Sequence, residues 1–205
     1  QTHRGTRSSE QDDYIYPMPV KKIESNHHLV SFCTFTCYNW YCLFEITKFY
    51  DGVYNWFNIL LNKGNKILGY VVMPNHVHFI IYFTMPDTTL NKVVGTGKRF
   101  MAYDISERLK QQEQHLLLDT LAAAVNNHDK KNNKLHEVFK PSFDHKPCYS
   151  YEFIEQKIEY IHHNPVTKHW RLVDDWRLYP HSSASFYETG VQRNTIVTHY
   201  RDIPL

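Results

Sequence analysis

Residues 67–83 read ILGYVVMPNHVHFIIYF, an apolar run broken once, at Met73, Pro74 and Asn75, and carrying two histidines, His76 and His78. Its β-branched and aromatic content reads as strand. Pro cannot donate to a central ladder, so the break predicts a kink or bulge, a device common beside active sites. Side chains at i and i+2 of a strand share a face, roughly 6–7 Å apart. Two imidazoles so placed can converge on one metal ion. Two hydrogen-bonded histidines on the solvent face of an edge strand would read the same way, and the short spacing alone does not separate the two.

Outward from this stretch the periodicity alternates. Residues 28–38 (HLVSFCTFTCY) predict a strand. Phe49, Val53, Trp56, Phe57, Leu60 and Leu61 recur at helical spacing over 46–62, and Gly64 stands where a helix end wants glycine. Residues 89–110 predict an amphipathic helix through Val93, Val94, Met101, Ile105 and Leu109, in which Gly95 and Gly97 mark a weakness or a close approach. A second helical stretch covers 115–125, a polar loop 126–134, an extended or hairpin segment 138–150, and a helix 151–163 ended by Asn164 and Pro165. This order predicts an α+β fold, most simply a ferredoxin-like sandwich: an antiparallel sheet with helices packed on one face. Residues 1–24 read as a poorly ordered arm, 25–187 as the folded domain and 188–205 as a tail.

A chain of 205 residues with 42% hydrophobic content can bury one core. No run approaches the roughly 20 apolar residues of a membrane span, and the polar start from Gln1 to Glu10 has no apolar run behind it, so a cytoplasmic location is expected. A net charge of +2 means that any nucleic-acid surface is local. Cys33, Cys37, Cys42 and Cys148 lack the paired spacing of zinc knuckles and are expected to be buried free thiols. Gly95, Thr96, Gly97 and Lys98 lack the spacing of a phosphate-binding loop.

A second constellation is YIHHNP, residues 160–165. Tyr160 and Asn164 are four apart, neighbours on one face if the helix persists that far. A tyrosine hydroxyl can attack phosphorus and hold it covalently, and an Asn amide oxygen can ligate a hard cation. The plain alternative is a packed tyrosine ring and a helix-ending asparagine.

Together, and in this order, the two motifs resemble the single-tyrosine HUH transposases, most closely their REP-associated tyrosine transposase branch. Residues 70–81 (YVVMPNHVHFII) are similar to the metal-binding strand and 160–166 (YIHHNPV) to the tyrosine helix. Weaker matches are 138–145 (VFKPSFDH) and 179–185 (YPHSSAS), so the similarity runs from about His28 to about Tyr187. The resemblance implies His76, His78 and Asn164 as metal ligands and Tyr160 as nucleophile. It implies cleavage and rejoining of single-stranded DNA beside hairpins, through a 5′-phosphotyrosine. The donor set suits Mg²⁺ or Mn²⁺, without excluding zinc. Residues 167–170 (TKHW) depart from the Gly-containing turn of many relatives, and the stretch around Asn126 is extra.

Lys98, Arg99, Lys140, Lys168 and Arg171 are the expected nucleic-acid contacts, helped by stacking on exposed aromatics. Two other readings remain: a hairpin-binding protein of the same fold that does not cut, and a zinc hydrolase that uses water. A monomer and a homodimer are both compatible with the chain.

Overall fold

In the computed structural model, which describes residues 29–205, the break at Met73–Asn75 is a chain reversal rather than a kink. It joins two antiparallel strands, β2 (Lys66–Val72) and β3 (His76–Tyr82), paired from Val72 with Val77 back to Lys66 with Tyr82. Met73 N–H donates to the His76 carbonyl at 2.8 Å, closing the turn around Pro74, whose missing N–H costs nothing there. The apolar run is thus two strands where the periodicity suggested one. A three-residue interruption of an apolar run looks the same in sequence whether it is a bulge or a reversal.

β1 (Val30–Thr36) pairs with the other side of β3, and a short β4 (Asp144–Pro147) pairs with β1. The antiparallel order is β2-β3-β1-β4. The helices are α1 (Leu43–Thr47), α2 (Tyr50–Asn62), α3 (Leu90–Gln111), α4 (His115–Ala123), α5 (Asn127–Lys131), α6 (Tyr151–His163) and α7 (Ala184–Thr189). With α1 and α2 between β1 and β2, and α3 to α5 between β3 and β4, this is the ferredoxin-like sandwich that the element order predicts. The helix expected over 46–62 divides at Lys48, which is left-handed at φ 52°. The polar loop at 126–134 holds the single turn of α5, capped by the Asn126 side chain. The expected arm at 1–24 lies outside the described residues.

The helices are not all on one face. Cys33, Phe35, Val77, Phe79 and Ile81 face α2 and α3 in one core, whereas Phe32 and Ile80 face Ile154, Ile158 and Ile161 of α6 in a second. The reason is β3: it is central and buried on both sides, so each side needs a cover. Gly97 marks a close approach, since a Cβ there would lie 2.3 Å from the Trp56 indole nitrogen; Gly95 has nothing within 4 Å. The last segment, without clear period in the sequence, closes the outer edge of β2. Val72 N–H donates to the His181 carbonyl, Ser183 N–H to that of Tyr70 and Thr198 N–H to that of Ile67, covering much of that edge. Among the described residues no helix is long and apolar enough to cross a membrane.

Candidate active site

His76 and His78 lie on the α6 side of β3, with ring centroids 4.6 Å apart. Both are nearly buried, on a central strand, which removes the reading of solvated histidines on an edge. The ring nitrogens are held from behind. His76 Nδ1 is 2.6 Å from Asn75 Oδ1, and Asn75 Nδ2 donates to the Trp40 carbonyl at 2.9 Å. The second bond fixes which end of the Asn75 amide faces His76, so His76 carries its proton on Nδ1 and presents the Nε2 lone pair. His78 Nδ1 is 2.6 Å from Thr34 Oγ1 on β1, a contact set by the pairing of Thr34 with His78. Support of this kind orients imidazoles that ligate metals.

Burial pulls the His76 imidazole down to about 4. His78 is pushed well below its ordinary range by burial first, then by His76 and Lys157. Both are neutral at pH 7, so no proton has to leave before a cation is ligated.

Tyr160 stands beside His78. Its ring centroid is 5.2 Å from His78 and 6.0 Å from Phe32, and the side chain remains 51% exposed. α6 presents it because Ile154, Ile158 and Ile161 bury the neighbouring positions of the helix against the sheet. Helical geometry continues to Asn164 (φ −52°, ψ −45°), so the condition for placing Asn164 one turn beyond Tyr160 is met; Asn164 is buried. Two neutral imidazoles and an amide oxygen are a donor set that a divalent cation of the Mg²⁺ or Mn²⁺ kind accepts, leaving positions for phosphate and water. Among the described residues no group of three or more His, Cys, Asp or Glu gathers for a metal. The cysteines are free thiols, three of them buried and Cys42 half-buried; burial pushes Cys33 and Cys37 far up, away from thiolate and from ligation.

The expected nucleic-acid contacts separate. Lys140 lies at the rim, its Nζ 4.1 Å above the Trp40 ring. Lys168 and Arg171 are exposed in the turn after α6, on either side of Trp170, whose ring is 5.9 Å from His76. Lys98 is buried instead. Its Nζ donates to the carbonyls of Lys140, Pro141 and Ser142 at 2.6, 3.1 and 3.1 Å, which uses all three protons. Burial, with Lys134 adding and Glu137 opposing, lowers it to about 8. Lys98 therefore anchors the 140–142 loop and has no donor left for a phosphate. Arg99 is exposed, but on α3, across the sheet from the histidines.

Sequence reasoning missed Thr34, Asn75, Trp40, Trp170 and Lys157 as parts of the site. Lys157 Nζ is 5.8 Å from the Tyr160 ring and 5.3 Å from Phe32. Its place one turn before Tyr160 was readable once the helix was drawn. Thr34 needed the β1–β3 register, which no local pattern supplies. His162 and His163 are not site residues: His162 Nε2 meets Ser183 Oγ at 2.8 Å, and both rings pack on Trp176.

No family model and no curated protein matches the chain. Among solved structures it is similar to a REP-associated tyrosine transposase bound to a REP hairpin. The identity is 16% and the TM-score 0.50, over 82% of this chain and 85% of that one. That likeness shows a shared fold. A candidate transposase from Deinococcus radiodurans matches at 14% identity and TM-score 0.39, over 75% of this chain and 95% of that one, too loosely to add to the fold assignment.

Proposed function

We propose that this chain is a metal-dependent endonuclease and strand transferase, a tyrosine transposase that cuts and rejoins single-stranded DNA beside hairpins. The observation that carries the reading is a half-exposed phenol 5.2 Å from one of two buried, neutral imidazoles whose Nδ1 atoms are already engaged. The shared fold agrees with it, and the hairpin in the transposase complex supports the choice of substrate.

The Tyr160 hydroxyl attacks phosphorus, a bond from its oxygen to phosphorus forms, and the bond to the 3′ oxygen breaks. The phenolic proton leaves to solvent and the departing 3′ oxygen gains one. A 3′-OH attacking the phosphotyrosine reverses these changes and rejoins a strand, with no nucleotide cofactor, because the linkage keeps the phosphodiester's energy. Free tyrosine titrates near pH 10 and is a weak nucleophile at neutral pH, so the phosphate has to be activated. A divalent ion held by His76, His78 and Asn164 supplies that activation when bound, as a Lewis acid. Asn75 and Thr34 hold the imidazoles in orientation. Lys157, beside Tyr160, places positive charge where the phosphate oxygens gather. Lys140, Lys168 and Arg171 hold flanking phosphates.

The test is a denaturing protein gel after incubation with Mn²⁺ and a labelled pool of hairpins with randomised single-stranded flanks. Label retained by the wild-type chain, and lost in Tyr160→Phe and in EDTA, is the expected result. Label equally strong in Tyr160→Phe would contradict the assignment. A mobility shift without any adduct would favour a hairpin-binding protein of this fold.

A further inference from the structure

The turn between β1 and α1 presents an indole beside the histidines, and its backbone is costly to form. Asn39 and Trp40 are successive non-glycine residues in the left-handed region, at φ 48° and 59°. Such conformations persist only where the surroundings fix them. Here the fixing is visible. Asn75 donates to the Trp40 carbonyl through Nδ2 and meets His76 Nδ1 through Oδ1, so one amide sets both the indole-bearing turn and the metal-facing ring. The Cys37 carbonyl accepts from Trp40 N–H at 3.2 Å, and Cys37 N–H donates to the Asn75 carbonyl at 2.8 Å.

The result is an indole that stays 55% exposed, edge-on to His76 with centroids 6.1 Å apart, and with the Lys140 ammonium 4.1 Å above it. Lys140 is fixed in turn: its N–H donates to the Thr36 carbonyl at 2.9 Å and its own carbonyl accepts from Lys98. An indole held in the open by a strained turn, with a lysine ammonium fixed beside it, is pre-set to receive a flat partner. A flat aromatic partner carrying a negative charge within reach of the lysine matches both groups. Unpaired nucleobases stack on aromatic side chains without much regard to sequence, and their phosphates pair with nearby cations.

We infer that Trp40 and Lys140 form a stacking site for one unpaired base of the single strand, Trp40 taking the base and Lys140 its phosphate, next to the His76 and His78 centre. This site rests on the proposed function for its ligand class. It adds a positioning device: a base pinned there fixes how far along the strand the Tyr160 hydroxyl can reach.

The test measures binding without chemistry. The 205-residue Tyr160→Phe chain is titrated, in EDTA, against two fluorescein-labelled DNA hairpins with identical stems. One carries oligothymidine flanks and the other abasic flanks, which keep the phosphates and remove the bases. The expected result is a preference for the thymidine flanks of roughly tenfold, the scale of one stacked base. Adding Trp40→Ala removes most of that preference, while Trp40→Phe keeps most of it. Lys140→Ala weakens both hairpins alike and lowers the salt dependence of binding by about one counterion. A preference unchanged by Trp40→Ala would overturn the stacking site and leave the proposed function standing. Failure of the chain to bind either hairpin would overturn both.

Discussion

The two faces of β3 are made by alternate residues of one strand and do different work. Val77, Phe79 and Ile81 point toward α2 and α3 into an all-apolar core, where Phe79 packs edge-on against Trp56 with centroids 5.4 Å apart. His76 and His78 point the other way, toward α6, where apolar packing stops short. Ile80 still shares a core with Ile154 and Ile158, but two residues past Ile158 the neighbour is the half-exposed Tyr160. The first face shows what fixes the strand, and the second what the strand then holds out. A change of one position in β3 therefore exchanges a stability effect for an activity effect.

The sharpest way to break this contrast is to mutate adjacent residues. Phe79→Ala should cost about 3–5 kcal/mol of folding stability, read as a large drop in the denaturant midpoint. His78→Ala should leave most of that stability and lower adduct formation by roughly 10³-fold, the several kcal/mol that a Lewis acid supplies. Equal destabilisation by both would erase the distinction between the faces. Next in size, Thr34→Val removes the group behind His78 Nδ1 while keeping the side chain's shape. Mn²⁺ affinity, followed by electron paramagnetic resonance, should fall about 10- to 100-fold with little loss of stability. Lys98→Met tests an assignment that the structure reversed. It should cost roughly 1–3 kcal/mol by leaving the carbonyls of Lys140, Pro141 and Ser142 unpaired. The smallest effect is expected at the surface: Lys168→Ala and Arg171→Ala should each reduce the salt slope of DNA binding by about one, without changing sequence preference.

Much of this was legible in local pattern. The helix over 151–163 and the strand through His76 and His78 follow from spacing alone, and with them the proximity of Tyr160 to Asn164. What stayed hidden depended on contacts between distant segments. The break at Met73–Asn75 is visible but reads as a kink, because a three-residue reversal and a bulge look alike in an apolar run, so two strands read as one. The second covered face came from the pairing of β3 on both sides, which periodicity does not report. Lys98 looked like a surface charge because a buried lysine and a solvated one are identical in sequence; only the three carbonyls around it tell them apart. Thr34 and Trp40 join the site through β1–β3 register and through Asn75, and neither partnership has a local signature.

The most direct test of the central assignment is peptide mapping of the covalent product. The chain is incubated with Mn²⁺ and a single-stranded hairpin substrate, digested with protease and nuclease, and the residual nucleotide mass is located by tandem mass spectrometry. A 5′-linked nucleotide on Tyr160, dependent on Mn²⁺ and absent from His76→Ala, is the predicted result. A nucleotide on any other residue, or cleaved DNA with no covalent product, would contradict the account.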